Sequence, residues 1–127
     1  MKHLFTLITI CLLQTNSIFI QDEKTDLELL CSGKWNMEYM TMNGERIELP
    51  TDEDQASWMI FHKNGKHEIM SFGDKFKAKW EYKSKGRIIL MIDKDGTMEQ
   101  KIEKLTETEL LLSYNLNGTT EKIGLKK

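Results

Sequence analysis

Six glycine-bearing dipeptides cut the chain into short alternating segments, and this punctuation constrains the fold more than any other feature. They are Asn43-Gly44, Asn64-Gly65, Gly73-Asp74, Lys85-Gly86, Asp95-Gly96 and Asn117-Gly118. Glycine there supplies the positive φ that tight hairpin turns require. Between the turns, side chains alternate with period two, most cleanly in Phe76-Lys77-Ala78-Lys79-Trp80-Glu81-Tyr82-Lys83. No segment after Gly33 has the 3.6-residue periodicity of a long helix. Short strands with regular turn signals predict an all-β barrel or sandwich. Eight are expected, over 34–42, 57–62, 66–72, 75–83, 87–93, 97–104, 109–115 and 119–126. The longest break, 44–56, holds the only proline, Pro50, and the acidic run Thr51-Asp52-Glu53-Asp54, with room for a short strand over 46–49.

Alternation also sets register, because residues opposite one another share a face. A three-residue turn Ser84-Lys85-Gly86 pairs Tyr82 with Ile88, Trp80 with Leu90 and Ala78 with Ile92. Lys94-Asp95-Gly96 then pairs Ile92 with Met98 and Ile88 with Ile102. Backward, a Gly73-Asp74 turn pairs Ser71 with Phe76, Ile69 with Ala78 and His67 with Trp80. Lys63-Asn64-Gly65 sets Phe61 against His67 and Met59 against Ile69, and Asn117-Gly118 sets Leu112 against Ile123 and Leu110 against Leu125. Only Thr106-Glu107-Thr108 lacks a glycine to fix it. Consecutive antiparallel hairpins with one apolar face bury it by closing into an antiparallel up-and-down barrel of eight strands, which also removes exposed edges.

The first twenty residues read differently. Met1-Lys2-His3 is a short basic start, residues 4–13 are an apolar run, and 14–17 are more polar. This is the layout of a secretory signal peptide, cleaved somewhere between 17 and 21. The run is too short for a membrane span, which needs about 20 residues. Residues 21–32 form an acidic, then Leu-rich segment able to make a turn or two of helix, capped by Thr25 or Asp26. The barrel domain follows over 33–127. Cys11 lies in the apolar run, so export leaves only Cys31, with no intramolecular disulfide. Neither cysteine follows the small residue of a lipoprotein site, and Cys31 reads as a packed apolar residue. The formal net charge of −2 gives no support to nucleic-acid binding.

Gly33-Lys34-Trp35 at the start of the first strand, followed in order by GKWNMEYMTMNGE, WMIFHKNGKH, KWEYKSKGRIILMID and IEKLTETELLLSY, resembles the short bacterial lipocalin-like domains of exported proteins. The likeness runs from about Leu29 to Lys127. It implies an eight-stranded lipocalin-like barrel in the periplasm or outside the cell, able to hold one small ligand. Two marks of the larger animal lipocalins are missing. There is no Thr-Asp-Tyr run, and the last-strand arginine that covers the tryptophan is absent, Lys122, Lys126 and Lys127 being the cations there.

Chemistry-bearing motifs are sparse. His62 and His67 flank a turn but fall on opposite faces with no third ligand, so no metal is expected. Asp93-Lys94-Asp95-Gly96 lacks the later ligands of a calcium loop. Asn117-Gly118-Thr119 matches a glycosylation sequon, but the turn already explains it. There is no Gly-x-Ser-x-Gly elbow, and Glu103, Glu107 and Glu109 read as a solvated hairpin. The chain is therefore not expected to be an enzyme or to carry a cofactor.

Inward-facing rings and polar groups carry the functional expectation. Trp35, Tyr39, His67, Trp80, Tyr82, Leu90, Gln100 and Tyr114 are the candidate ligand-binding residues, with Phe76 on the same face. Trp35 is also expected to anchor the closed end. A pocket is mostly apolar with a few placed polar groups, here His67 and Gln100. One function is a carrier of a small apolar or amphiphilic molecule. The alternative is a filled barrel that binds or inhibits another exported protein through an outer apolar patch near Trp58 and Ile60.

Overall fold

The computed structural model describes residues 23–127, so the expected signal peptide and its cleavage site lie outside the described residues. A helix, α1, covers 23–30. Nine strands follow: β1 (Lys34–Met42), β2 (Glu45–Glu48), β3 (Trp58–Phe61), β4 (Lys66–Ser71), β5 (Asp74–Lys83), β6 (Ile88–Asp93), β7 (Gly96–Leu105), β8 (Glu109–Leu116) and β9 (Thr119–Lys126). All pairings are antiparallel. β1 pairs with both β3 and β9, which closes an eight-stranded ring. β2 stands outside the ring, paired with the second half of β1 over Tyr39–Met42.

Hairpin order gives the barrel two ends. The turns after β1, β4, β6 and β8 lie at one end, the mouth. The turns after β3, β5 and β7 lie at the other, the base, together with α1. The core cluster fills the base: Leu30, Trp35, Met59, Phe61, Trp80, Ile89, Ile102, Leu110, Leu112 and Leu125 are all buried. The helix is tied down by polar contacts as well. Asp26 takes two hydrogen bonds from the Arg87 guanidinium at 3.0 Å and one from the Tyr82 hydroxyl at 2.6 Å. Burial, and then the Asp26 hydrogen bond, push the Tyr82 hydroxyl up to about 12. Thr25 and Asp26 thus lie inside the helix rather than capping it. Lys127 Nζ sits 4.5 Å over the Trp35 ring, so a lysine occupies the place for which no arginine is available.

Observed registers match expectation at β3–β4 (Phe61 with His67) and β8–β9 (Leu112 with Ile123), where Asn-Gly turns set them. Elsewhere turn geometry moves them. The β4–β5 turn is Phe72-Gly73, not Gly73-Asp74, with Phe72 at φ 48°. His67 therefore faces Ala78 rather than Trp80, a two-residue shift that preserves faces. The β5–β6 loop takes four residues because Arg87 adopts φ 52°. This one-residue shift sets Trp80 against Met91 and Glu81 against Leu90, and turns Ile89 and Met91 inward in place of Ile88, Leu90 and Ile92. The β6–β7 turn is one residue tighter than expected, pairing Asp93 with Gly96 and Met91 with Met98. The two shifts cancel, so Met98, Gln100 and Ile102 still face inward.

A bulge between Met37 and Tyr39 reverses the face of β1 beyond it. Tyr39 then lies on the outer face opposite Gly124, with the Arg46 guanidinium 3.8 Å from its ring centroid. A Cβ on Gly124 would collide with the Tyr39 ring. Gly124→Ala should therefore cost about 1–3 kcal/mol, the range for overpacking. In a Tyr39→Ala background the same change should cost nothing, since a strand-interior glycine is otherwise a weak point. Urea denaturation of the four proteins checks this, and an equal cost in both backgrounds would contradict it.

Candidate functional site

The inward faces of the strands differ between the two ends of the barrel. Toward the base they are sealed: Trp35, Phe61, Met59, Ile89, Leu110 and Leu112 have almost no exposed surface. Toward the mouth the same faces carry Met42, Ile47, Phe76, Met98 and Leu116, which are 39–54% exposed. Pairings tie these to the inner face: Ile47 is opposite Met40, Phe76 opposite Ile69, and Met98 opposite Met91. An apolar inner face exposed at one end of a barrel offers the kind of surface that receives a small ligand.

Two buried polar groups sit where this open face meets the sealed base, His67 opposite Phe61 and Gln100 opposite Ile89. His67 is 1% exposed, and both of its ring nitrogens lack a hydrogen-bond partner. The ring stacks on Phe61 with centroids 4.5 Å apart, and Phe61 meets Trp80 edge-on at 5.1 Å. Burial, helped by the nearby His62, lowers the His67 pKa to about 4. The imidazole is thus neutral at pH 7, with one nitrogen able to donate and the other to accept. Gln100 is 2% exposed; its Nε2 donates to Met98 Sδ at 3.7 Å, and its Oε1 has no partner. Buried polar atoms without partners are rare and costly, and each calls for an explanation.

The remaining candidates separate by position. Tyr114 faces inward, half-buried opposite Glu121, and burial and then that carboxylate raise its pKa. Trp35, Trp80 and Tyr82 sit at the base with their polar atoms already engaged. The Trp35 and Trp80 indoles donate to the carbonyls of Leu30 (3.1 Å) and His62 (2.8 Å), and Tyr82 donates to Asp26. These three build the floor rather than an open wall. Tyr39 and Leu90 leave the inner face altogether, Tyr39 through the bulge and Leu90 through the four-residue β5–β6 loop.

Sequence reasoning missed Met42, Ile47, Leu116 and Glu121. Glu121 was readable, since it shares the alternation of Ile123 and Leu125. It is buried and accepts hydrogen bonds from Asn43 N–H (2.7 Å), Gly44 N–H (3.1 Å) and the Thr41 hydroxyl (3.0 Å), which ties the β1–β2 turn to β9. Burial opposes its ionisation, but the bonds from Gly44, Asn43 and Thr41 outweigh burial and hold its pKa below the usual value. Cys31 packs half-buried against the core, and burial raises its thiol pKa against the charge of Lys63. No group of three His, Cys, Asp or Glu side chains among the described residues is placed to hold a metal.

A crystal structure of a lipocalin-like protein from Bacteroides uniformis is similar to this chain, with a TM-score of 0.55 and 20% identity, over 77% of this chain and 98% of that one. The fold is lipocalin-like. No protein-family model matches the sequence, and no curated protein matches it. No helix among the described residues of this lipocalin-like chain is long and apolar enough to cross a membrane.

Proposed function

We propose that this chain is an exported, non-catalytic lipocalin-like carrier that takes a small apolar or amphiphilic molecule into the mouth half of its barrel. The observation that carries this reading is an exposed apolar inner face that ends on two buried polar groups with unpartnered atoms, both ring nitrogens of His67 and Oε1 of Gln100. The apolar wall, with Ile69, Phe76, Met91 and Met98, supplies affinity at roughly 25 cal/mol per Å² buried. His67 and Gln100 orient a polar head, and the basic–apolar–polar layout of the first twenty residues supports export. The competing surface-binding reading is weakened at its proposed patch. Trp58 is half-buried, with Lys34 Nζ 4.7 Å from its ring centroid, and Ile60 is half-buried too.

Calorimetric titration with fatty acids, fatty alcohols and alkanes tests the proposal. An amphiphile should bind tighter than about 1 mM, which corresponds to −4.1 kcal/mol. Met98→Asp should weaken every ligand. Gln100→Leu should weaken acids and alcohols roughly tenfold, about 1.4 kcal/mol, and leave alkanes unchanged. If no amphiphile binds, the carrier reading fails and the filled, surface-acting barrel takes its place.

A further inference from the structure

The barrel wall is interrupted beside β5, and a concavity lies there. The β5–β6 ladder ends at the pair Lys79–Ile92, although β5 runs on to Asp74 paired only with β4. Where the ladder stops, a half-open cleft of about 740 Å³ lies between the β4–β5 and β6–β7 hairpins. Lys66, Lys77, Lys79 and Lys94 of the outer face line it with two carboxylates, Glu68 and Asp93, and its floor reaches His67 and Ala78 of the inner face.

Neither carboxylate closes an ion pair with these lysines, although Glu68 stands opposite Lys77 across the ladder. Glu68 Oε2 lies 2.6 Å from His62 Nε2, and its other oxygen lies 3.0 Å from Lys75 Nζ. Asp93 Oδ1 accepts the Asp95 N–H at 2.7 Å within its own turn. None of the four lysines has a carboxylate within ion-pair distance among the described residues. Lys66 and Lys79 moreover stand directly opposite one another across the ladder, an arrangement that destabilises a sheet. Across its other side Lys79 meets Ile92, not an acid. Four lysines against two carboxylates around one concavity leave it net positive in a chain whose net charge is negative.

We propose that the lysine rim of this cleft is a binding site for a soluble, compact multivalent oxyanion of the polyphosphate class. Lysine ammoniums bind phosphoryl groups as point charges without the planar geometry that arginine imposes. An anion bridging Lys66 and Lys79 removes their mutual repulsion and draws in Lys77 and Lys94. A flat anionic membrane fits poorly, because exposed Asp74, the first residue of β5, and exposed Asp95, in the β6–β7 turn, stand at the mouth end of the two hairpins that bound the cleft.

The test is calorimetric titration of the full chain with inorganic tripolyphosphate, inorganic phosphate and phosphatidic-acid vesicles. Tripolyphosphate should bind tighter than about 1 mM at 50 mM salt. It should bind at least tenfold tighter than phosphate and weaken several-fold at 200 mM salt, and the vesicles should not bind. Lys66→Gln/Lys79→Gln should lose at least tenfold in tripolyphosphate affinity, whereas Lys83→Gln, on the same strand but outside the cleft, should not. Without ligand at low salt, the double variant should unfold at a temperature no lower than the parent. Equal affinity in the parent and the double variant, a preference for vesicles, or no binding of tripolyphosphate would overturn the proposal. Fatty-acid binding in the double variant should stay unchanged, because Lys66 and Lys79 stand on the outer face, and this distinguishes failure of the anion proposal from failure of the carrier reading.

Discussion

Trp35→Ala should destabilise the protein by about 3–5 kcal/mol, the range for deleting a large buried aromatic side chain. The ring has no exposed surface and belongs to the cluster that closes the base. Alanine leaves a cavity among Leu30, Met59, Leu125 and their neighbours, and rigid flanking strands limit how far the cavity can collapse. Two further contacts go with the ring. The indole N–H satisfies the Leu30 carbonyl at the end of α1, and such terminal carbonyls have no partner within the helix. Lys127 loses its cation–π partner. Trp35→Phe keeps most of the volume but not the hydrogen bond, and should cost less, about 1–2 kcal/mol. Urea denaturation measures both. A loss below about 1 kcal/mol for the alanine variant would show that the base does not depend on this ring.

The base and the order of strands are legible in the sequence because two local signals agree there. Alternation names the inner face, and Asn64-Gly65 and Asn117-Gly118 fix the hairpins that flank it. The registers of β5 and β6 are less legible because they depend on residues that violate local rules. Phe72 and Arg87 both adopt positive φ, which their side chains disfavour and no dipeptide announces. Tertiary contacts hold them: the Phe72 N–H donates to Ser57 Oγ at 3.0 Å, and the Arg87 side chain is clamped by Asp26. One such residue is enough to turn Leu90 from the inner to the outer face. The β1 bulge likewise leaves no trace at Glu38 itself. Its trace lies eighty-odd residues away at Gly124, a glycine inside a strand, which marks the close approach of another group. The lysine cleft could not be read from sequence either, since it depends on where one ladder ends.

Lowering the pH should destabilise the protein before its carboxylates are protonated, and His67 should be the reason. The folded-state pKa is about 4, against 6.5 for an ordinary histidine. Between those values the unfolded chain binds a proton that the folded chain refuses. Stability is therefore full above pH 6.5 and falls as pH drops toward 4. At 1.36 kcal/mol per pH unit the loss across the window is roughly 3 kcal/mol. Glu68 acts lower down. Hydrogen bonds from His62 and then Lys75 hold its pKa at about 2 rather than 4.5, so its contribution is lost only as pH falls from 4.5 toward 2. The decline between pH 6.5 and 4.5 thus isolates the imidazole. His67→Leu, close in volume and free of titratable nitrogens, should flatten the profile in that range. It should also be at least as stable as the parent at pH 7, because it removes two unpartnered buried nitrogens. Urea midpoints at half-unit steps from pH 7 to pH 4 provide the measurement. Parallel profiles for the two proteins would mean that the His67 ring titrates as a solvated group, and would remove it from the inner wall that the carrier reading requires.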